Sequence, residues 1–254
     1  MAKKLLLQSV NILGVIATLA VNALANIIKF NGQTTGGVSD KFQVYFVPAG
    51  YVFAIWGVIY IGLIAFAIFQ VLPSQRDNPR LDRIGYLFAL SCVANILWLF
   101  SWHYEQFPLT LILMLVLLLS LIAIYLRLEI GRVSVSGIEK WMLRIPFSIY
   151  LGWITVATIA NVTDLLDYLH WTGWGISAVA WTVIMLVAGV ILSALMSILR
   201  GDVAYLLVII WAYIGIAVKQ AATPTVFNAA WITSVLVGVL LVAGIAFHSH
   251  RKTN

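Results

Sequence analysis

Tyr150-Leu151-Gly152-Trp153-Ile154-Thr155-Val156-Ala157-Thr158-Ile159-Ala160-Asn161 is an apolar run that carries two large aromatics and ends on an amide. Steps of three and four residues put Tyr150, Trp153, Ala157 and Asn161 on one face of a helix. Lipid tails offer an amide no hydrogen-bond partner, so Asn161 must face protein, water or a ligand. Two other apolar segments repeat the design. Phe53, Trp56 and Tyr60 share a face in one; Ser91, Asn95, Trp98 and Trp102 share a face in the other. Three such faces meeting inside a bundle make a flat-walled aromatic pocket within a membrane. That arrangement points to binding of a bulky hydrophobic molecule rather than to catalysis.

Composition places the chain in a membrane. Of its 254 residues 63% are hydrophobic and 9% charged, and mean hydropathy is +1.03. A soluble globular chain is about 25% charged, so so much apolar surface implies an all-α integral membrane protein crossing several times. Cys92 is the single cysteine, which excludes an internal disulfide and disfavours a metal cluster. The net charge of +6 is scattered between apolar runs. It forms no basic stripe to track phosphates, so nucleic acid is not an expected partner.

Reading for apolar runs of roughly 17 to 25 residues gives about eight transmembrane helices, near 5–28, 50–72, 84–104, 107–128, 145–166, 174–198, 203–220 and 226–248. The longest early loop, 31–49, is rich in Gly, Thr, Ser and Asn, and a loop of that length is more often functional than a plain connection. The basic residues test the partition. One set of loops and ends holds Lys3, Lys4, Arg76, Arg80, Arg83, Arg127, Arg132, Lys140, Arg144, Arg200, Arg251 and Lys252; the opposite set holds only Lys29, Lys41 and Lys219. The positive-inside rule then expects both termini in the cytoplasm, with a bacterial-type plasma membrane as the expected location. The opposite face is slightly acidic, with Asp40, Glu105, Asp164 and Asp167. Lys3-Lys4, an apolar stretch and Ala23-Leu24-Ala25 imitate a signal peptide, but the apolar stretch continues through Ile28, so it is read as the first helix.

Phe53…Trp56-x-x-x-Tyr60, Asn95-x-x-Trp98 and Trp153-x-x-x-Ala157-Thr158-x-x-Asn161 occur in that order behind the long loop. Together they resemble the signatures of the TspO/MBR family of tryptophan-rich sensory and translocator proteins, over about residues 1–168. The resemblance implies a five-helix core whose aromatic cavity binds tetrapyrroles and similar planar hydrophobes. Carried over residue by residue, it implies a pocket lined by Phe53, Trp56, Tyr60, Asn95, Trp98, Trp153, Ala157 and Asn161. Trp102 and Tyr150 extend the same stripes, and the 31–49 loop would act as a lid. No cofactor is obligatory; a bound tetrapyrrole, porphyrin or haem, is possible. The chain departs from the pattern at Tyr51, where a Trp is expected, and at Ile149, where a Pro is. The sterol pattern expected after Tyr168 is absent, and Leu121-x-x-x-Tyr125-x-Arg127 matches it only loosely elsewhere.

Blander readings stand beside these. Aromatic stripes also serve packing and interfacial anchoring, which suits Tyr51, Trp102, Tyr104 and Trp171 near helix ends. Asn95 and Asn161 also suit interhelical hydrogen bonds, and Asn11 and Asn22, eleven residues apart, suit polar contacts along one face. Asp164 and Asp167 read as a solvated helix end, and Lys219 as a snorkelling side chain. His103, His170, His248 and His250 sit at ends or in the tail, and no phosphate loop, H-E-x-x-H or serine elbow is present. Catalytic residues and metal ligands are therefore expected to be none.

Residues 169–254 add three helices and a basic tail to one continuous membrane domain. Ala178, Ala188, Gly189, Ala194, Gly238 and Ala243 give them small surfaces for close contact. The expected function is a membrane-embedded binding protein for planar hydrophobic ligands, acting as sensor or translocator. Its expected partners are membrane lipids and that small molecule, with a homo-oligomer or membrane complex left open. A secondary transporter and a structural subunit of a pigment-protein complex are the alternatives; chemistry on porphyrin or lipid comes last.

Overall fold

The computed structural model describes residues 2–253, with side chains described for 4–249. Lys3, His250, Arg251 and Lys252 therefore lie outside the described side chains. Eight long helices follow one another: α1 Ala2–Leu24, α2 Ile55–Val71, α3 Leu87–His103, α4 Phe107–Arg127, α5 Ile145–Tyr168, α6 Ala178–Arg200, α7 Val203–Lys219 and α8 Pro224–Thr253. No strand occurs among the described residues. Six helical segments are long and apolar enough to cross a membrane, and the apolar α3 and α7 are shorter. Each of these two has 17 residues, or about 26 Å at 1.5 Å per residue, close to the thickness of a hydrocarbon core.

The first five helices close into a ring. α1 packs on α2 and α3, α2 on α5, α5 on α4, and α4 on α3. Because lipid gives helices no hydrophobic reason to associate, small residues and polar side chains must join them. Gly62 of α2 lies against the ring of Pro146 at the start of α5. On α1, Asn11 donates to Gln70 Oε1 of α2 at 3.0 Å, and Asn22 donates to Asn95 Oδ1 of α3 at 2.9 Å. The eleven-residue spacing on α1 thus reaches two different neighbours, and the signal-like N-terminal stretch is a built-in member of the ring.

Helices α6, α7 and α8 form a triplet that joins the ring where α7 packs along α5. Asp202, the N-cap of α7, is the knot. It caps the Tyr205 N–H at 3.1 Å and accepts from Tyr125 of α4 at 2.8 Å and Ser148 of α5 at 2.7 Å. Gly152 of α5 sits against Tyr205 and Val208. Of the small residues expected to mediate contact, Gly189 does so beneath Tyr213, whereas Gly238 faces open space because its side of α8 has no neighbour; Gly244, against Ser197, takes that part instead.

Basic groups gather at the end holding the termini, where Lys4 meets Asp77 and Asp82, Arg80 meets Glu139 and Arg83 meets Glu129. The opposite end is covered by the segment between α1 and α2. It contains a short helix, Thr35–Ser39, capped by Thr34, and a 3-10 turn, Gly50–Ala54, that leads into α2.

A Cβ at position 189 would overlap the Tyr213 hydroxyl, which donates to Leu186 O at 2.9 Å. Gly189→Ala should cost about 1–3 kcal/mol, read as a lowered thermal midpoint in detergent. Adding Tyr213→Phe should recover part of that loss, since it removes the overlapping oxygen.

Candidate functional site

The aromatic and amide faces of α2, α3 and α5 all turn into the ring. Asn95, Trp98, Trp102, Tyr150, Trp153 and Asn161 are buried, and Phe53, Trp56, Tyr60 and Ala157 are half-buried. Trp56 stacks on Tyr60, one turn along α2, at 5.6 Å between centroids. Its ring also meets Tyr150 and Trp153 of α5 edge-on, at 6.1 and 6.3 Å, and Phe53 meets Trp153 at 5.8 Å. Such edge-to-face pairs are the favoured geometry for aromatic quadrupoles. On the other wall Trp98 and Trp102 of α3 are stacked at 5.5 Å.

The two asparagines act differently. Asn161 accepts from Trp98 Nε1 at 3.0 Å and donates to Thr110 Oγ1 of α4 at 2.9 Å. It therefore joins α3, α4 and α5, an interhelical role. Asn95 accepts from Asn22, while its Nδ2 is buried beside the Tyr150 hydroxyl without a well-formed hydrogen bond. Trp153 Nε1 and Asp164 Oδ1 are likewise buried without a hydrogen-bond partner.

Asp164 corrects the expectation of a solvated helix end: it is only 3% exposed. Its eleven-residue offset from Trp153 is close to three turns at about 3.6 residues each, which places it on the interior face. Trp102 likewise is not an interfacial anchor, because its indole lies under the covering segment and donates to Thr35 O at 3.0 Å. Sequence reading set His103 at a helix end and gave it no part in the pocket. It is fully buried, with Nδ1 3.2 Å from Phe30 O and Nε2 3.1 Å from Thr35 Oγ1.

The segment 30–54 closes this end of the ring as a lid. Asn31 donates to His103 O at 2.9 Å, and the Phe42 ring packs on Trp102 and Phe107 at 5.9 and 4.9 Å. The Gln43 N–H reaches Asp167 at 3.3 Å. The other half of the lid is held by α7. Ala49 N–H donates to Gly215 O at 3.0 Å, Trp211 Nε1 to Val52 O at 3.0 Å, and Lys219 pairs with Asp40 at 2.9 Å. A Cβ on Gly215 would strike Val52. Lys219 thus holds the lid instead of snorkelling. Among the described residues, no group of His, Cys, Asp or Glu has the geometry to hold a metal ion.

Asn161→Ala removes both of its hydrogen bonds and leaves the Trp98 N–H buried and unpaired. A loss of about 1–3 kcal/mol is expected, read as thermal unfolding in detergent. A midpoint unchanged from wild type would show that Asn161 does not join the helices.

At the lid edge, hydrogen bonds from Lys41 and then Gln33 hold the Glu105 carboxyl below its ordinary value of 4.5. A carboxyl whose folded value is depressed stabilises the closed lid above the ordinary value, and that contribution is lost as pH falls through the folded one. Hydrogen exchange of the lid amides, corrected for intrinsic rate, should therefore rise as pH drops below 4.5. Lys41→Met should loosen the lid at neutral pH and flatten this dependence.

A family model described as TSPO-like protein matches residues 8–243. The match extends beyond 1–168, where the motifs lie, into α8. No curated protein matches the chain, and no solved structure does. With a match spanning all eight helices, the chain belongs to the TSPO-like family.

Proposed function

We propose that the interior of the five-helix ring binds a planar hydrophobic molecule of the tetrapyrrole type, and that the protein acts as a sensor or translocator for it. The observation that carries this reading is a set of unpartnered polar atoms among aromatic walls: Asn95 Nδ2, Trp153 Nε1 and Asp164 Oδ1. A buried polar group without a partner is costly. Two donors and an acceptor left free on α3 and α5 are what a flat ligand with a few polar atoms would engage. Phe53, Trp56, Tyr60, Trp98, Trp102 and Tyr150 would supply its apolar contacts, Ala157 the gap for its edge and Asn161 the tie between the walls. The lid covers the lining from the end opposite the termini, and the excess of basic residues beside the termini supports reading that end as cytoplasmic and the lid as facing outward.

A second reading has its own support. Phe53, Trp56, Tyr150 and Trp153 touch one another, so the aromatic faces can be satisfied by packing alone, as in a structural subunit of a membrane complex.

Tryptophan-fluorescence titration with protoporphyrin IX and with haem separates the two. Saturable quenching in wild type, weakened roughly tenfold by Asn95→Ala through loss of one buried hydrogen bond, is the expected result. Trp153→Phe should weaken it similarly. Equal, non-saturable quenching in all three proteins would mean partitioning into detergent, and the structural-subunit reading would then stand.

A further inference from the structure

Gly137–Tyr168 is helical without a break for 32 residues. That is about 48 Å at 1.5 Å per residue, against a hydrocarbon core of about 30 Å. The turns before the apolar run that opens at Ile145 therefore stand in the headgroup layer at the end with the termini. They begin with Gly137–Glu139, where Ser136 Oγ accepts from the Glu139 N–H at 3.2 Å, and continue through a π-helical turn, Lys140–Arg144. The two faces of this extension of α5 differ. Glu139 and Arg144 are buried as a pair at 3.8 Å, and Arg80 donates to Glu139 at 3.3 Å. Arg144 also donates to Val133 O at 2.6 Å, which holds the loop that carries Arg132 against the turn. Ile138, Lys140 and Trp141 are exposed, the indole by 69%.

Burying an ion pair costs desolvation, and what this pair fixes is a turn that presents an indole, an isoleucine and a lysine where lipid meets water. The acids of this end are taken: Glu129 by Arg83, Glu139 by Arg80 and Arg144, and Asp77 and Asp82 by Lys4. Arg76, Arg127, Arg132 and Lys140 are exposed and have no ion-pair partner among the described residues. The positive-inside rule accounts for cations at this end. It does not account for a buried pair that holds two exposed apolar side chains among them. Unneutralised cations beside a membrane attract anionic headgroups, and an indole settles at the same depth.

We propose that this turn seats an anionic phospholipid of the adjoining leaflet. Arg132 and Lys140 take the headgroup, and Trp141 and Ile138 take the glycerol and first acyl carbons. The apolar pair is what selects a lipid over a free phosphate. This seat is separate from the aromatic interior and does not depend on what binds there.

Native mass spectrometry of the full chain in non-ionic detergent tests it, with dioleoylphosphatidylglycerol and dioleoylphosphatidylcholine added at equal amounts. Wild type should retain the phosphatidylglycerol in preference. Arg132→Gln and Lys140→Gln should each lower its retention roughly fivefold, the scale of one basic residue near an anionic surface, and leave phosphatidylcholine within about twofold. The single variants serve if the double does not fold. Arg76→Gln, an unpaired cation of the same end outside the turn, should keep the preference, and Trp141→Ala should weaken retention of both lipids. Equal retention of the two lipids by wild type overturns the proposal. So does a preference that survives loss of both Arg132 and Lys140, or one that falls as far in Arg76→Gln, since general charge would then explain it. Retention untouched by Trp141→Ala, or displacement of the lipid by glycerol 3-phosphate at equal concentration, overturns the assignment to a lipid.

Discussion

A side-chain amide inside a lipid-embedded bundle has to find its partner on another helix, and the rest of this structure depends on how that constraint is met. The Nδ2 groups of Asn11, Asn22 and Asn161 meet it, and each bond joins two helices of the ring. Because α1, α3, α4 and α5 are tied at depth by these amides, their relative rotations are fixed. Those rotations decide which residues face inward. The aromatic stripes of α2, α3 and α5 then have nowhere to go but the ring interior, where their flat faces and edges pack as quadrupoles prefer. Among the groups that do not meet the constraint, Asn95 Nδ2, Trp153 Nε1 and Asp164 Oδ1 belong to α3 and α5, whereas Asn11 Oδ1 and Thr18 Oγ1 lie on α1 and Glu139 and Arg144 at the end with the termini.

The added triplet takes its place from a second polar knot. Asp202 caps its own helix while receiving hydroxyls from α4 and α5, so the start of α7 and the ring cannot separate without stranding a buried carboxylate. From that fixed start α7 runs along α5 toward the lid end, where Trp211, Gly215 and Lys219 meet the lid backbone and Asp40. The lid is therefore clasped from two sides, by His103 and Trp102 of the ring and by α7 of the triplet. A five-helix ring alone would hold only the first half of it.

Charge is distributed accordingly. The end with the termini is bound by pairs such as Arg80–Glu139 and Arg83–Glu129. The lid end has fewer cations, and these lie just after α1, in the lid and at the end of α7. Breaking Lys41–Glu105 or Lys219–Asp40 leaves an exposed charge in water, a small loss for a surface pair. Its tighter attachments are the buried contacts of Trp102, Phe42 and His103.

The sequence by itself determined the membrane class, the eight helices and the aromatic faces. These depend on apolar run length and helical period, both local properties. It also showed which amides had to be satisfied, though not by whom. Only the tertiary structure decided that Asn161 bridges three helices while Asn95 keeps a free donor, since partners distant in the chain meet through helix rotation. The same holds for Asp164, Trp102 and His103. By position each lies near a helix end, where water or an interface is the ordinary environment; yet a lid folded back over the ring covers Trp102 and His103, and Asp164 turns into the ring interior. A lid made of Gly, Thr, Ser and Asn carries no periodic signal of its own, so its closing contacts, and the part α7 plays in them, were not legible in the sequence.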